Sequence, residues 1–106
     1  MDSVKLLSKI ERDKARKTIE KYHQKKLGEL IEVVYQKIQQ FKNGEISAFD
    51  ADYVVQIYHE QSKELFNFIN IYYPKNSMLP YILELIEQEE KGEWHWVPKK
   101  SYENYH

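Results

Sequence analysis

The chain has 106 residues, a formal net charge of −1, a hydrophobic fraction of 42% and no cysteine. That length suits one domain with a modest core. The missing thiols exclude disulfides, thiolate metal sites and cysteine nucleophiles, and they fit a reducing compartment. No apolar run approaches the roughly 20 residues that a membrane helix needs. The opening stretch of residues 1–14 lacks the basic–apolar–small order of a signal peptide, so the expected location is cytoplasmic. Lysine outnumbers arginine 14 to 2, and Ile, Tyr and Asn are common, a composition that points to an AT-rich bacterial genome.

Charge is unevenly distributed. Residues 1–42 hold 11 Lys/Arg against 6 Asp/Glu, a net of +5, and residues 43–106 hold 5 against 11, a net of −6. The simplest consequence is attraction between the two halves, within the fold or across a dimer.

Helical periodicity begins early. Ser3 is a candidate cap, and Val4, Leu7 and Ile10 form one apolar patch while Ala15, Ile19 and Tyr22 form another. Leu27, Ile31, Val34, Ile38 and Phe41 then recur at spacings of 4, 3, 4 and 3, which places them on one helical face. Residues 3–42 therefore read as one long helix or as two with a break near Lys25–Gly28, and Asn43-Gly44 is the stop. The second helix is expected over 47–73. Ser47-Ala48-Phe49-Asp50 matches a capping box at its start, and Pro74 follows its end. A third is expected over 77–91, with Pro80 in its first turn and Gly92 beyond its last. Residues 93–106 form a non-periodic tail rich in aromatics.

The expected fold is all-α: an antiparallel bundle of three or more helices with an aromatic C-terminal tail, in a single domain. The expected core is Leu27, Ile31, Val34, Ile38, Phe41, Phe49, Val54, Val55, Tyr58, Leu65, Ile69, Tyr72, Ile82, Leu85 and Ile86. The stretch Leu65–Tyr73 is apolar around most of its circumference, more than two partner helices would cover. This points to a homodimer, with the N-terminal helix taking part.

Chemistry is sparsely signalled. Glu20 and His23 are three apart, as in helical-bundle metal sites, and Asp52 precedes His59 by seven residues on one face. These four are the candidate metal ligands, although only pairs are visible where a divalent ion takes three or four converging groups. No serine elbow or phosphate-cradling loop is present. Lys5, Lys9, Arg12 and Arg16 make a basic stripe at spacings of 4, 3 and 4, but the pI of 6.4 argues against a nucleic-acid binder. Trp94 and Trp96 have two readings, as caps folded onto the core or as partner anchors together with Leu65, Phe66 and Phe68. No cofactor, catalytic residue or membrane contact is indicated. The leading expectation is a non-enzymatic interaction or regulatory module, with metal binding and then nucleic-acid binding as alternatives.

Overall fold

A computed structural model of the chain describes residues 8–71 and 78–96, the side chain of Ile71 excepted. All regular structure among them is helical, in the order α1 (Lys9–Lys42), α2 (Ala48–Ile71) and α3 (Leu79–Glu90). No helix among the described residues is long and apolar enough to cross a membrane.

α1 opens on a capping box. Ser8 is extended (φ −68°, ψ 168°), its Oγ accepts from the Glu11 N–H at 3.2 Å, and Glu11 Oε1 accepts from the Ser8 N–H at 2.9 Å. Two end-of-helix donors are thereby satisfied at once. α1 begins here, at Lys9, and the expected cap Ser3 lies with Val4 and Leu7 outside the described residues. It then runs unbroken through Gly28. A helical glycine costs about 1 kcal/mol relative to alanine, and side chains on both sides of Gly28 pack on neighbouring helices, which holds the helix together. α1 ends at Asn43, where Gly44 takes a positive φ of 78°.

α2 starts on a second box, with Ser47 Oγ accepting from the Asp50 N–H at 3.0 Å and Asp50 Oδ2 from the Ser47 N–H at 3.2 Å. Its expected last residues, Tyr72 and Tyr73, lie outside the described residues. α3 carries Pro80 in its first turn and stops at Lys91-Gly92, where Gly92 has φ 79°.

α1 packs against both α2 and α3. The core is one cluster: Ala15, Ile19 and Tyr22 from α1, Leu65, Phe68 and Ile69 from α2, Leu79, Ile82 and Ile86 from α3, and Trp96 beyond it. Leu27, Leu30, Leu83, Leu85 and Trp94 pack around its edge. Helix lengths decide the rest. At about 1.5 Å per residue, the 34 residues of α1 are nearly three times as long as the 12 of α3. α3 therefore covers only one end of the α1–α2 hairpin. The molecule measures 58 × 25 × 22 Å with a radius of gyration of 16.9 Å, against about 13 Å for a compact domain of this length. It has a three-helix head and a two-helix arm, which spans residues 29–60.

The expected core needs correcting in the arm. Leu65, Ile69, Ile82 and Ile86 are buried and Leu27 and Leu85 pack on the cluster, but Ile31, Phe41, Phe49 and Val55 are exposed. Ile31 and Phe41 belong to the apolar face of α1, Phe49 and Val55 stand about 120° apart on α2, and α3 does not reach that far to cover any of them. Val34, Ile38, Val54 and Tyr58 are half-buried, and Tyr72 is outside the described residues.

Candidate interaction surface

Three parts of the molecule gather polar or exposed apolar groups: a polar lock in the head, a cleft between α1 and α2, and the arm.

The lock joins α1 to α3 and to the residues that follow it. Tyr22 donates its hydroxyl proton to Glu89 Oε1 at 2.7 Å, and its oxygen accepts from the Trp96 indole N–H at 2.8 Å. Lys26 Nζ lies 3.4 Å from Glu89 Oε1 and 3.3 Å from Glu29 Oε1, and His95 Nε2 lies 3.8 Å from Glu89 Oε2. The Glu89 carboxylate is nearly buried, so these donors replace the water it loses. Burial first, and then the neighbouring Glu89 carboxylate, pushes the Tyr22 phenol above its usual range. Burial by itself would lower Lys26, but Glu89 and Glu29 outweigh it and raise the ammonium. Burial lowers His95, against the pull of Glu89. Aromatic packing closes the site. Phe68 meets Tyr22 edge-on with centroids 6.3 Å apart and Trp94 at 5.1 Å. The groups face one another rather than an opening, so this cluster ties the head together.

The cleft has a volume of about 380 Å³ and is lined by Arg16, Lys17, Ile19, Glu20, His23, Phe66, Ile69 and Asn70. Two of the candidate metal ligands, Glu20 and His23, are here, and burial lowers the His23 pKa. Asp52 and His59 are elsewhere. Asp52 accepts from Gln56 Nε2 at 2.7 Å near the start of α2, and His59 is exposed. Phe66, which shares the cleft with His23, lies two helical turns beyond His59. Among the described residues no three His, Asp or Glu side chains converge so as to hold a metal ion. The basic stripe is also uneven: Lys9 is exposed, Arg12 and Arg16 are half-buried, and Lys5 lies outside the described residues.

Of the candidate partner anchors, Leu65, Phe68 and Trp96 are buried within the chain, and Trp94 is half-buried against the core. Phe66 alone among them is more than half exposed, at 56%.

The arm is different. Ile31, Tyr35 and Phe41 on α1, with Phe49, Tyr53 and Val55 on α2, all flank the turn and are all exposed, Phe49 to 88%. Single exposed apolar residues are ordinary, but six large ones within one short hairpin form a concentration that soluble surfaces avoid. The capping box at Ser47 and the positive φ of Gly44 fix the turn that presents them. Sequence reasoning missed this surface because it placed four of the six in the core. Tyr35 and Tyr53, the other two, belonged to neither the expected core nor the expected sites.

No family model matches the chain, and no curated protein or solved structure gives a match.

Proposed function

We propose that this chain is a non-enzymatic protein-interaction module, with the two-helix arm as its binding element and the head as the support that holds the arm rigid. The observation that carries this reading is the exposed set Ile31, Tyr35, Phe41, Phe49, Tyr53 and Val55 on a hairpin that α3 does not reach. Aromatic side chains of this kind are the usual anchors of interfaces, because they bury large area at small entropic cost. The polar lock supports the same reading: it ties α1, α3 and Trp96 together at one end of the molecule, leaving the other end free to dock.

Differential capture tests it. The tagged full chain is compared with a Phe49→Ser/Tyr53→Ser variant and with a head variant, Glu84→Gln/Glu93→Gln, at two exposed positions away from the arm. Proteins retained by the wild type, an untagged second copy included, are expected to be lost with the arm variant and kept with the head variant. Equal retention by the wild type and the arm variant would contradict the reading.

A further inference from the structure

We infer that the arm's partner is a second copy of this chain, the two arms lying antiparallel so that the acidic tip of each rests against the basic first half of the other's α1. This inference rests on the arm being an interaction surface and adds to it the occupant and the orientation.

Charge carries the inference. Within the arm, residues 29–60 hold two lysines (Lys37, Lys42) against six acidic residues (Glu29, Glu32, Glu45, Asp50, Asp52, Glu60). Residues 8–28 of α1 hold eight Lys/Arg against three acidic residues. The arm therefore sums to −4 and the head half of α1 to +5, while residues 78–96 carry five acidic residues against Lys91, so the positive charge is local to α1 rather than shared by the whole head. Among the described residues, contacts within the chain engage part of this charge, Lys26 with Glu29 included. Lys25 pairs with Glu90 and Lys26 with Glu89, both near the base of the arm. Lys14, Lys17 and Lys21, at spacings of 3 and 4, remain exposed on one face of α1. Around the turn, Glu45, Asp50 and Asp52 are exposed as well.

Orientation follows from this separation. Two copies aligned in parallel would set acidic arm against acidic arm and basic segment against basic segment. Two antiparallel copies related by a two-fold axis bring each acidic tip toward the other's lysines, twice over. The same overlap covers apolar arm residues, which supplies the non-electrostatic part of the association.

Charge reversal provides the test, read by sedimentation equilibrium of the full chain. One variant carries Lys14→Glu, Lys17→Glu and Lys21→Glu, and the other carries Glu45→Lys and Asp52→Lys. Asp50 is left in place because it caps α2. All five positions are exposed, and circular dichroism verifies that both variants keep their helix content. Wild type is expected at twice the 12.9 kDa chain mass at micromolar concentration. Each variant alone is expected to weaken self-association at least roughly tenfold, since like charges then face each other at both contacts. An equimolar mixture is expected to recover the dimer, because in the mixed pair both contacts become attractive again. Raising salt should weaken the wild-type dimer. A wild-type monomer throughout the micromolar range would overturn the inference and leave the interaction reading to the capture experiment. A dimer indifferent to both charge reversals, or a mixture no tighter than either variant alone, would overturn it too. If a reversal variant unfolds, the salt dependence decides, and a dimer that salt leaves unchanged or tightens overturns the inference.

Discussion

The Tyr22 hydroxyl donates a 2.7 Å hydrogen bond to the Glu89 carboxylate, linking the first helix to the third across 67 residues of sequence. The same oxygen receives the Trp96 indole N–H at 2.8 Å. One phenol thus satisfies a buried acceptor and a buried donor together.

Removing it strands the Trp96 indole N–H and takes from Glu89 its shortest hydrogen bond, leaving that carboxylate to Lys26 and His95. Tyr22→Phe is expected to destabilise the fold by about 1–3 kcal/mol, the cost of stranding buried polar groups. Urea unfolding followed by tryptophan fluorescence measures this. A midpoint equal to wild type would show that the lock contributes nothing.

Core and arm should differ sharply in their sensitivity. Ile82 is fully buried in α3, and Ile82→Ala is expected to cost about 2–5 kcal/mol. Phe49, exposed to 88%, contributes little burial within the chain, so Phe49→Ser in dilute protein is expected to stay within about 0.5 kcal/mol of wild type. Urea midpoints give both values, and a large loss at Phe49 would place it in the fold rather than on a surface.

Gly28 offers the opposite change. A Cβ added there would meet nothing within 4 Å. Gly28→Ala should therefore stabilise α1 by about 0.5–1 kcal/mol, as alanine does at an open helical position. Thermal melting checks the sign, and a lowered melting temperature would contradict it.

The pH dependence has two edges. Burial lowers His23 and His95 from the ordinary value of 6.5. Below pH 6.5 the unfolded chain takes up protons before the native state does, so stability falls with acidification and levels off once both rings are protonated in the fold. At the alkaline edge, Tyr22 and Lys26 are raised from 10.0 and 10.5. Their contribution is fully present below these values and is lost as pH rises past them. A urea-midpoint profile should show a plateau between about pH 7 and pH 10, with losses on either side. Stability that rises above pH 10 would contradict the Tyr22 and Lys26 assignments.

Local signals in the sequence were sufficient for the helices and weak for their surroundings. Ser47-x-x-Asp50, Gly44, Pro80 and Gly92 mark helix ends through short-range hydrogen bonding and φ preference, and each stands where that chemistry requires. Ser8-x-x-Glu11 is the same capping signal and was equally legible, but Ser3 and the apolar residues after it drew the expected start upstream. Periodicity placed Ile31, Phe41 and Phe49 on apolar faces without revealing whether a third helix was long enough to cover them. The Tyr22–Glu89–Trp96 lock joins residues 67 and 74 positions apart, and no local pattern in a single sequence encodes such a meeting. The separation of Glu20 and His23 from Asp52 and His59 likewise depends on how α1 and α2 are registered, which spacing within each helix does not contain.

The central claim is that the arm's exposed apolar residues serve a partner rather than the fold, and amide hydrogen exchange tests it most directly. Exchange is mapped by mass spectrometry on the dilute chain and again with the captured partner added, or at high chain concentration where the partner is a second copy. Residues 29–60 are expected to gain local protection when the partner is present, beyond the general slowing that binding gives the core of the head around Leu65, Ile82 and Ile86. Protection gained only in the head, or no change in the arm at any partner concentration, would contradict the account.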